Sequence, residues 1–107
     1  MYSYTPAEKR QRNKLFRKGF RQALADCVDP ALERQIERID QAAAERGQRE
    51  LNALHAVRDT DRQTVANAKA ALRTASRQDR AAARQKVRDA EQQLRRSERA
   101  VNRAENS

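Results

Sequence analysis

Residues 61–105 read DRQTVANAKAALRTASRQDRAAARQKVRDAEQQLRRSERAVNRAE, and this stretch decides the fold class. It contains no glycine or proline and consists largely of residues with high helix propensity. Its apolar positions recur at alternating steps of three and four, as they do along the contact face of a coiled coil. These positions are Val65, Ala68, Leu72 and Ala75 in one run, and Ala83, Val87, Ala90, Leu94, Ser97, Val101 and Ala104 in a second. The stretch is therefore predicted to be helical and to pack against another helix.

The two runs differ in heptad phase, and the slip falls between Ser76 and Asp79. Such a slip indicates either a stutter in one long helix or a turn between two helices. Because most seam residues are alanine, a single helix here would bury little area and would be only marginally stable. We expect a partner helix from the same chain, a second copy or another molecule, and self-association through this alanine-rich end.

The rest of the chain is also expected to be helical, with little core. A length of 107 residues allows one domain at most. Leu, Ile, Val and Phe make up only 16 of these residues, which is too few for a thick hydrophobic core. We therefore predict an all-α protein: an elongated helical hairpin or antiparallel coiled coil, preceded by a basic amphipathic N-terminal helix.

Two proline-containing segments predict where the first helices begin. Thr5 and Glu8 have the spacing of a capping box, and Pro6 suits the first helical position. Asp29 and Pro30 repeat the pattern of a cap followed by a proline, so the first helix should end near residue 27 or 28. The chain then divides into an N-terminal helical region, residues 1–28, and a hairpin region, residues 29–107.

Within the hairpin region we expect helices at about 30–57 and 61–105. Gly47 stands without a proline or turn cluster, so the first of these helices should continue through it. Thr60 and Gln63 have the spacing of another capping box, which predicts a turn at residues 58–61. The predicted seam of the first of these helices consists of Leu32, Ile36, Ile39, Ala43, Leu51, Leu54 and Val57.

Charge is distributed unevenly along the chain, whose net charge is +9. Residues 1–25 are strongly basic, residues 26–61 are acidic overall, and residues 62–107 are basic again. A turn near residue 60 would place the acidic second helix against the basic third. Exposed ion pairs contribute only about 0–1 kcal/mol each, so they should set orientation more than stability.

The first predicted helix has two distinct faces. At 100° per residue its apolar side chains fall within one arc of about 100°, and five cations fall in the adjoining arc. No Asp or Glu lies between Lys9 and Ala25. The apolar arc holds Phe16, Phe20, Ala23, Leu24 and Cys27, and the cations are Arg10, Lys14, Arg17, Lys18 and Arg21. We predict that Phe16, Phe20 and Leu24 dock this helix on the hairpin while the cations face solvent.

Five fixed cations on one helix suit a phosphate backbone, because each neutralised phosphate releases condensed counterions. We therefore expect a non-enzymatic accessory protein that binds DNA or RNA through phosphates. A second, weaker surface is predicted at Arg84, Arg88, Arg95, Arg96 and Arg99. No zinc-finger or RNA-recognition motif is present and aromatic residues are few, which disfavours base reading. Tyr2 and Tyr4 are expected in a frayed tail, with base stacking as the alternative.

Other interpretations of the basic helix stay open. The alternatives are a solvated face without a partner, a helix that binds anionic lipid, and a helix that docks on an acidic protein surface. The last would make the protein a coiled-coil structural or scaffold subunit of a larger assembly. A small inhibitor of a nucleic-acid-processing enzyme is the third functional alternative.

Chemistry at a catalytic or metal site is not expected. Cys27 is the single cysteine, so no internal disulfide or cysteine-based zinc site can form, and His55 is the single histidine. Asp59 and Asp61 are explained by a nearby helix N-terminus. We expect no cofactor and no metal. Uncharged runs are too short to cross a bilayer and no secretory signal is visible, which predicts a cytoplasmic protein without a membrane partner.

Overall fold

A computed structural model describes residues 1–25 and 29–106 of the chain. Within these residues there are three α-helices and no strand: α1 (Pro6–Leu24), α2 (Pro30–Thr74) and α3 (Arg80–Glu105). The predicted all-α fold class is confirmed. Contacts divide the chain into two units, Met1–Arg49 and Glu50–Ser107.

Helix α1 begins with the predicted capping box. The Glu8 amide donates to Thr5 Oγ1 at 3.1 Å, and the Thr5 amide donates to Glu8 Oε1 at 2.8 Å. The helix ends at Leu24, where the Ala25 amide donates to the carbonyls of the preceding turn. The predicted end at residue 27 or 28 is therefore too late. Residue 27, the single cysteine, lies outside the described residues.

Helix α2 begins as predicted and ends 17 residues later than predicted. Asp29 Oδ1 accepts from the Ala31 amide at 2.9 Å, and Pro30 is the first helical residue. The helix continues through Gly47, as predicted, and through residues 58–61 to Thr74, so the predicted turn at 58–61 is wrong. The Thr60 hydroxyl does not cap a helix but donates to the Ala56 carbonyl at 3.0 Å, a bond that is compatible with an unbroken helix.

The chain turns instead where the heptad phase slips. Helix α2 ends at Thr74 and α3 begins at Arg80. The Asp79 amide donates to the Ser76 carbonyl at 3.1 Å, and the Ser76 hydroxyl donates to Asp79 Oδ2 at 2.9 Å. Of the two alternatives for residues 76–79, a stutter or a turn, the structure has the turn. The predicted helices at 30–57 and 61–105 are therefore replaced by α2 and α3.

In the first unit, α1 packs on the N-terminal part of α2 through a small core. Leu15, Leu32 and Ile39 are buried, with Tyr4 and Ile36 packed against them. Gly19 lies close to Leu32, because a Cβ placed on this glycine would lie 3.9 Å from Leu32 Cδ1. A Cβ at this distance would make ordinary contact, so the packing of α1 on α2 does not require a glycine at position 19.

The predicted docking of α1 through Phe16, Phe20 and Leu24 is wrong. These side chains keep 48%, 67% and 73% of their accessible surface, whereas Leu15 keeps 9%. The side of α1 that contacts α2 is therefore centred on Leu15, which is rotated by about 100° around the helix axis from Phe16. Gly19 shares this face with Leu15, which brings the smallest residue of α1 against α2.

The N-terminal arm, residues 1–5, lies along α2 rather than fraying as predicted. The Ser3 amide donates to the Ala43 carbonyl at 3.0 Å, and Arg46 Nη1 donates to the Ser3 carbonyl. The Met1 carbonyl lies so close to Gly47 that a Cβ there would overlap it. A glycine in the middle of α2 is thus explained by the arm that crosses it.

In the second unit, residues 50–74 of α2 and α3 form an antiparallel helical hairpin. His55 Nε2 lies 3.0 Å from Glu105 Oε1, and Lys69 Nζ lies 3.8 Å from Glu91 Oε1. His55 and Lys69 are 14 residues apart, as are Glu91 and Glu105, so the register is constant over two heptads. The hairpin supplies the partner helix that the alanine-rich seam requires.

The seam of the hairpin consists of the two predicted runs of apolar residues. Every residue of both runs is buried or half-buried, and Val101 is the most buried large side chain, with 2% exposure. The expected charge pattern is wrong, because the pairs across the hairpin place the basic group on α2 and the carboxylate on α3. The acidic part of α2 pairs with α1 instead, through Asp40 and Arg12.

Candidate functional site: two cationic helix faces

One side of α1 carries five cations, which we call the α1 cationic face. At 100° per residue these residues fall within one arc of about 100°, outside the side of α1 that carries Leu15 and Gly19. The face consists of Arg10, Lys14, Arg17, Lys18 and Arg21, all of them exposed. Within the described residues none of the five forms an ion pair. The predicted clustering of these side chains is therefore observed.

The charged groups on the inner side of α1 are paired instead. Glu8, the single acid of α1, lies 2.6 Å from Arg46 Nη1, and the hydrogen bond from Arg46 lowers the pKa of Glu8. Arg12 Nε lies 2.7 Å from Asp40 Oδ1 and its Nη2 lies 3.2 Å from Oδ2. In the described part of the chain, the solvent-facing side of α1 thus carries positive charge without a paired acid.

Asp40 is the centre of a small polar cluster at this contact. It accepts from Arg12 and, at 2.7 Å, from the Tyr4 hydroxyl. The hydrogen bond from Arg12, reinforced by that from Tyr4, lowers the pKa of the Asp40 carboxyl. The same bond to Asp40 raises the pKa of Tyr4. An ionised Asp40 therefore positions both the arm and Arg12.

Arg12 also stacks on aromatic rings. Its guanidinium carbon lies 4.6 Å from the centroid of the Phe16 ring and 5.6 Å from that of the Tyr4 ring. The Tyr2 and Tyr4 rings are stacked, with centroids 6.1 Å apart and planes 12° from parallel. Phe16 is therefore held by a cation–π contact on one side while nearly half of its surface faces solvent.

The exposed phenylalanines lie between the core and the α1 cationic face. Phe16 and Phe20 line a shallow recess together with Arg17 and Arg21. On the other side, the same two rings border an apolar groove that reaches Leu15 and α2. Aromatic surface and cationic groups thus meet in one recess of the first unit.

A second cluster of cations, the α3 cationic face, lies in the second unit. It consists of Arg84, Arg88, Arg95, Arg96 and Arg99, all exposed and, among the described residues, outside any ion pair. These residues lie on the side of α3 away from the seam, whereas Glu91 and Glu105 are turned toward α2. Arg103, four residues after Arg99 and also exposed, extends this face. Arg103 was not among the predicted residues of this surface, although its spacing of four from Arg99 places it on the same side of the helix.

The polar residues considered for a catalytic or metal site are His55, Asp59 and Asp61. The first two contact a charged neighbour. His55 is half-buried beside Glu105, and Asp59 lies 3.2 Å from Arg58. Asp61 Oδ2 is buried without a hydrogen-bond partner in the described part of the chain. Over residues 1–25 and 29–106, no three His, Cys, Asp or Glu side chains are grouped so as to hold a metal ion. No helix of these residues has the length and apolar character to span a bilayer.

Fold and surfaces together define a three-helix protein whose described residues present two cationic helix faces. No protein-family model, curated protein or solved structure matches the chain. The α1 cationic face has two features that support a binding role. The charged groups on the inner side of α1 form ion pairs, and an aromatic recess adjoins the face.

Proposed function

We propose that this protein is a non-enzymatic accessory protein that binds nucleic acid through its backbone phosphates. The observation that carries the proposal is the α1 cationic face, in which five exposed cations lie along about 16 Å of one helix. A row of fixed positive charges binds a phosphate backbone favourably, because binding releases the counterions that are condensed on the backbone. The α3 cationic face serves as a second contact surface in this proposal.

The inner charge pairs support the proposal because they remove competitors for the cations. Glu8, the single acid of α1, is held by Arg46, and Asp40 is held by Arg12. An arginine that is free of carboxylate partners can direct its planar guanidinium group at phosphate oxygens. Arg17 and Arg21 are the residues that we expect to grip phosphates, with Arg10, Lys14 and Lys18 adding charge.

The proposal is tested by the salt dependence of binding. If five phosphates are neutralised on duplex DNA, a plot of log affinity against log salt concentration has a slope of about −4.5. The double variant R17Q/R21Q should bind more weakly, with a slope about 1.8 smaller in magnitude. The measurement is fluorescence anisotropy with the full chain at several salt concentrations. A slope near zero, or no binding at low salt, contradicts the proposal.

A matched control removes two cations that already have acidic partners. Arg62 lies 3.8 Å from Asp59, and Lys69 lies 3.8 Å from Glu91. The double variant R62Q/K69Q therefore lowers net charge by the same amount without touching either cationic face. Equal losses of affinity in this variant and in R17Q/R21Q would indicate a general charge effect and not a binding face.

A second candidate function is favoured by the exposed apolar side chains of α1. Phe16, Phe20 and Leu24 would suit docking on an acidic protein surface, as a scaffold subunit of a larger assembly does. On this alternative, F16A/F20A should damage assembly more than R17Q/R21Q. Purification of the native protein with bound partners, followed by nuclease treatment and mass measurement, separates the two candidates.

Self-association and a cytoplasmic location complete the proposal. In the second unit α2 covers the seam of α3, so a dimer would use other surfaces than this seam. Sedimentation at increasing protein concentration measures self-association directly.

A further inference from the structure

We infer that the nucleic acid bound by α1 is single-stranded, with unpaired bases stacked on Phe16 and Phe20. The inference rests on the proposed function and specifies its ligand. Both rings are well exposed, with 48% and 67% of their surfaces accessible. They lie four residues apart, which separates them by about 6 Å along the helix axis and places them on neighbouring parts of one side.

The recess beside these rings combines the two chemical features of an unpaired nucleotide. Arg17 and Arg21 line it with the two phenylalanines, so each ring has a cation next to it. A flat base stacks on an aromatic ring, and the phosphate attached to the same nucleotide meets an arginine. Because every base has a π face, this arrangement needs no base-specific hydrogen bonds.

Phe16 is also prepared for stacking before any ligand binds. Arg12 packs against its ring at 4.6 Å and is itself held by two hydrogen bonds to Asp40. A ring that is already fixed loses less conformational entropy when a base stacks on it. The ion pair between α1 and α2 therefore acts on the binding surface through the position of Arg12.

A single strand fits this surface better than the other anionic occupants. In a duplex the base faces are stacked on each other, so the rings would face the sugar–phosphate backbone without a stacking partner. An acidic amphipathic helix would supply charge and aliphatic side chains, but it has no planar group that stacks on the two rings. The alternation of ring and guanidinium group in the recess favours the nucleotide.

The test compares three strands of equal length with the full-chain protein. An oligothymidine of about 20 nucleotides presents unpaired bases, an abasic strand presents phosphates alone, and a duplex hides its base faces. Anisotropy at fixed salt gives the affinity for each. The variant F20A removes the more exposed ring, and L24A is the matched control, because Leu24 is an even more exposed apolar residue of the same helix.

We expect wild-type protein to bind oligothymidine more tightly than either other strand. F20A should weaken oligothymidine binding about 5- to 150-fold and leave duplex and abasic binding unchanged. L24A should leave all three unchanged, and F20Y should retain the wild-type preference. The chain contains no tryptophan, so F20W adds a single tryptophan, whose fluorescence oligothymidine, but not the abasic strand, should quench. This quenching keeps the inference testable if F20A does not fold.

Other outcomes overturn the inference in distinguishable ways. Equal affinity for duplex and oligothymidine, with F20A unchanged on both, overturns the single-strand inference while phosphate binding stands. Equal losses in F20A and L24A identify an apolar docking surface and overturn it as well. No binding to any strand at low salt overturns the proposed function and the inference with it.

Discussion

Arg12 and Asp40 join α1 to α2 by two hydrogen bonds, from Nε to Oδ1 at 2.7 Å and from Nη2 to Oδ2 at 3.2 Å. Each side chain keeps about a third of its surface exposed, so the pair lies at the edge of the contact between the helices. Asp40 accepts a further hydrogen bond from the Tyr4 hydroxyl, which brings the N-terminal arm to the same carboxylate. One acidic residue of α2 thus determines the position of the arm, of Arg12 and, through Arg12, of Phe16.

The first prediction is that the stability of the first unit falls in acid because of Asp40. Hydrogen bonds from Arg12 and Tyr4 lower the pKa of Asp40 in the folded protein. A lowered pKa means that the carboxylate stabilises the fold above its unfolded pKa, near 4, and that this contribution is lost as pH falls through the folded value. Thermal melts followed by circular dichroism should show the loss from about pH 4 downward.

Variant D40N separates this effect from general acid denaturation. It should melt at a lower temperature than wild type at neutral pH and converge with wild type as the pH falls below about 4. Glu8, whose pKa is also lowered, should preserve part of the acid sensitivity in D40N. D89N, at an exposed position of α3, is the control. Parallel melting curves of D40N and wild type at all pH values would contradict the assigned role of Asp40.

The second prediction concerns the two glycines of the first unit, which should respond in opposite ways to alanine. At Gly19 a Cβ would make ordinary contact with Leu32, so G19A should stabilise the protein by about 0.5–1 kcal/mol through helix propensity. At Gly47 a Cβ would overlap the Met1 carbonyl, so G47A should displace the arm. The hydrogen bond from Ser3 to Ala43 would then be lost.

Amide hydrogen exchange measures the displacement at Gly47. In G47A the Ser3 amide should exchange faster, while amides within α2 stay protected. In G19A the exchange of Ser3 should be unchanged. A protected Ser3 amide in G47A would mean that the arm shifts by a small amount and keeps its bond.

Local signals in the sequence predicted the starts of α1 and α2, because capping depends on neighbours in the chain. Thr5 and Glu8 bond each other across three residues, and Asp29 caps the turn that follows it. The seams were predicted for a related reason, since their spacing follows from the helix period. Where the helices end, and which side of α1 packs, required information from distant residues.

The turn of the hairpin shows what the sequence concealed. Residues 58–61 offered capping residues, yet Arg58 and Asp61 continue the three-and-four spacing from Leu54 to Val65. Because these two residues are charged, they were not recognised as seam positions, and the seam continues through them without a break. The turn lies at the phase slip, residues 76–79. The packing side of α1 was hidden in the same way. The arc of apolar residues favoured Phe16, but Leu15 is the side chain that is buried with Leu32 and Ile39.

The third prediction is that Asp61 weakens the hairpin. Its Oδ2 atom is buried without a hydrogen-bond partner among the described residues, at a position that continues the apolar seam toward Val65. Replacing a buried unsatisfied polar group by an apolar one removes its desolvation cost. D61L should therefore raise the free energy of unfolding by about 1–2 kcal/mol, as measured by urea titration.

Two controls accompany D61L. D89L changes an exposed Asp of α3 to the same residue, so it reports the gain from helix propensity together with the loss of an exposed hydrogen bond from Gln85. V101A removes two methyl groups at the most buried large side chain and should destabilise the hairpin by about 2 kcal/mol. A loss of stability in D61L would indicate that the carboxylate is satisfied by water in solution.

The fourth prediction concerns the α3 cationic face, which should add contacts to phosphates without affecting the fold. Its arginines lie away from the seam, so R88Q/R95Q should leave the melting temperature unchanged. If both residues neutralise phosphates on duplex DNA, the slope of log affinity against log salt should decrease in magnitude by about 1.8. Arg88 also donates to Gln85, which is an exposed contact within one helix and contributes little to stability.

The losses of affinity in R88Q/R95Q and in R17Q/R21Q show which of the two cationic faces contributes more to binding. A smaller effect on affinity from the α3 pair would make the α1 cationic face the main surface. Similar effects would mean that phosphate contact dominates at both surfaces. If R88Q/R95Q changed neither affinity nor slope on a long duplex, the α3 arginines would be a solvated helix face, and the binding surface would consist of α1 alone.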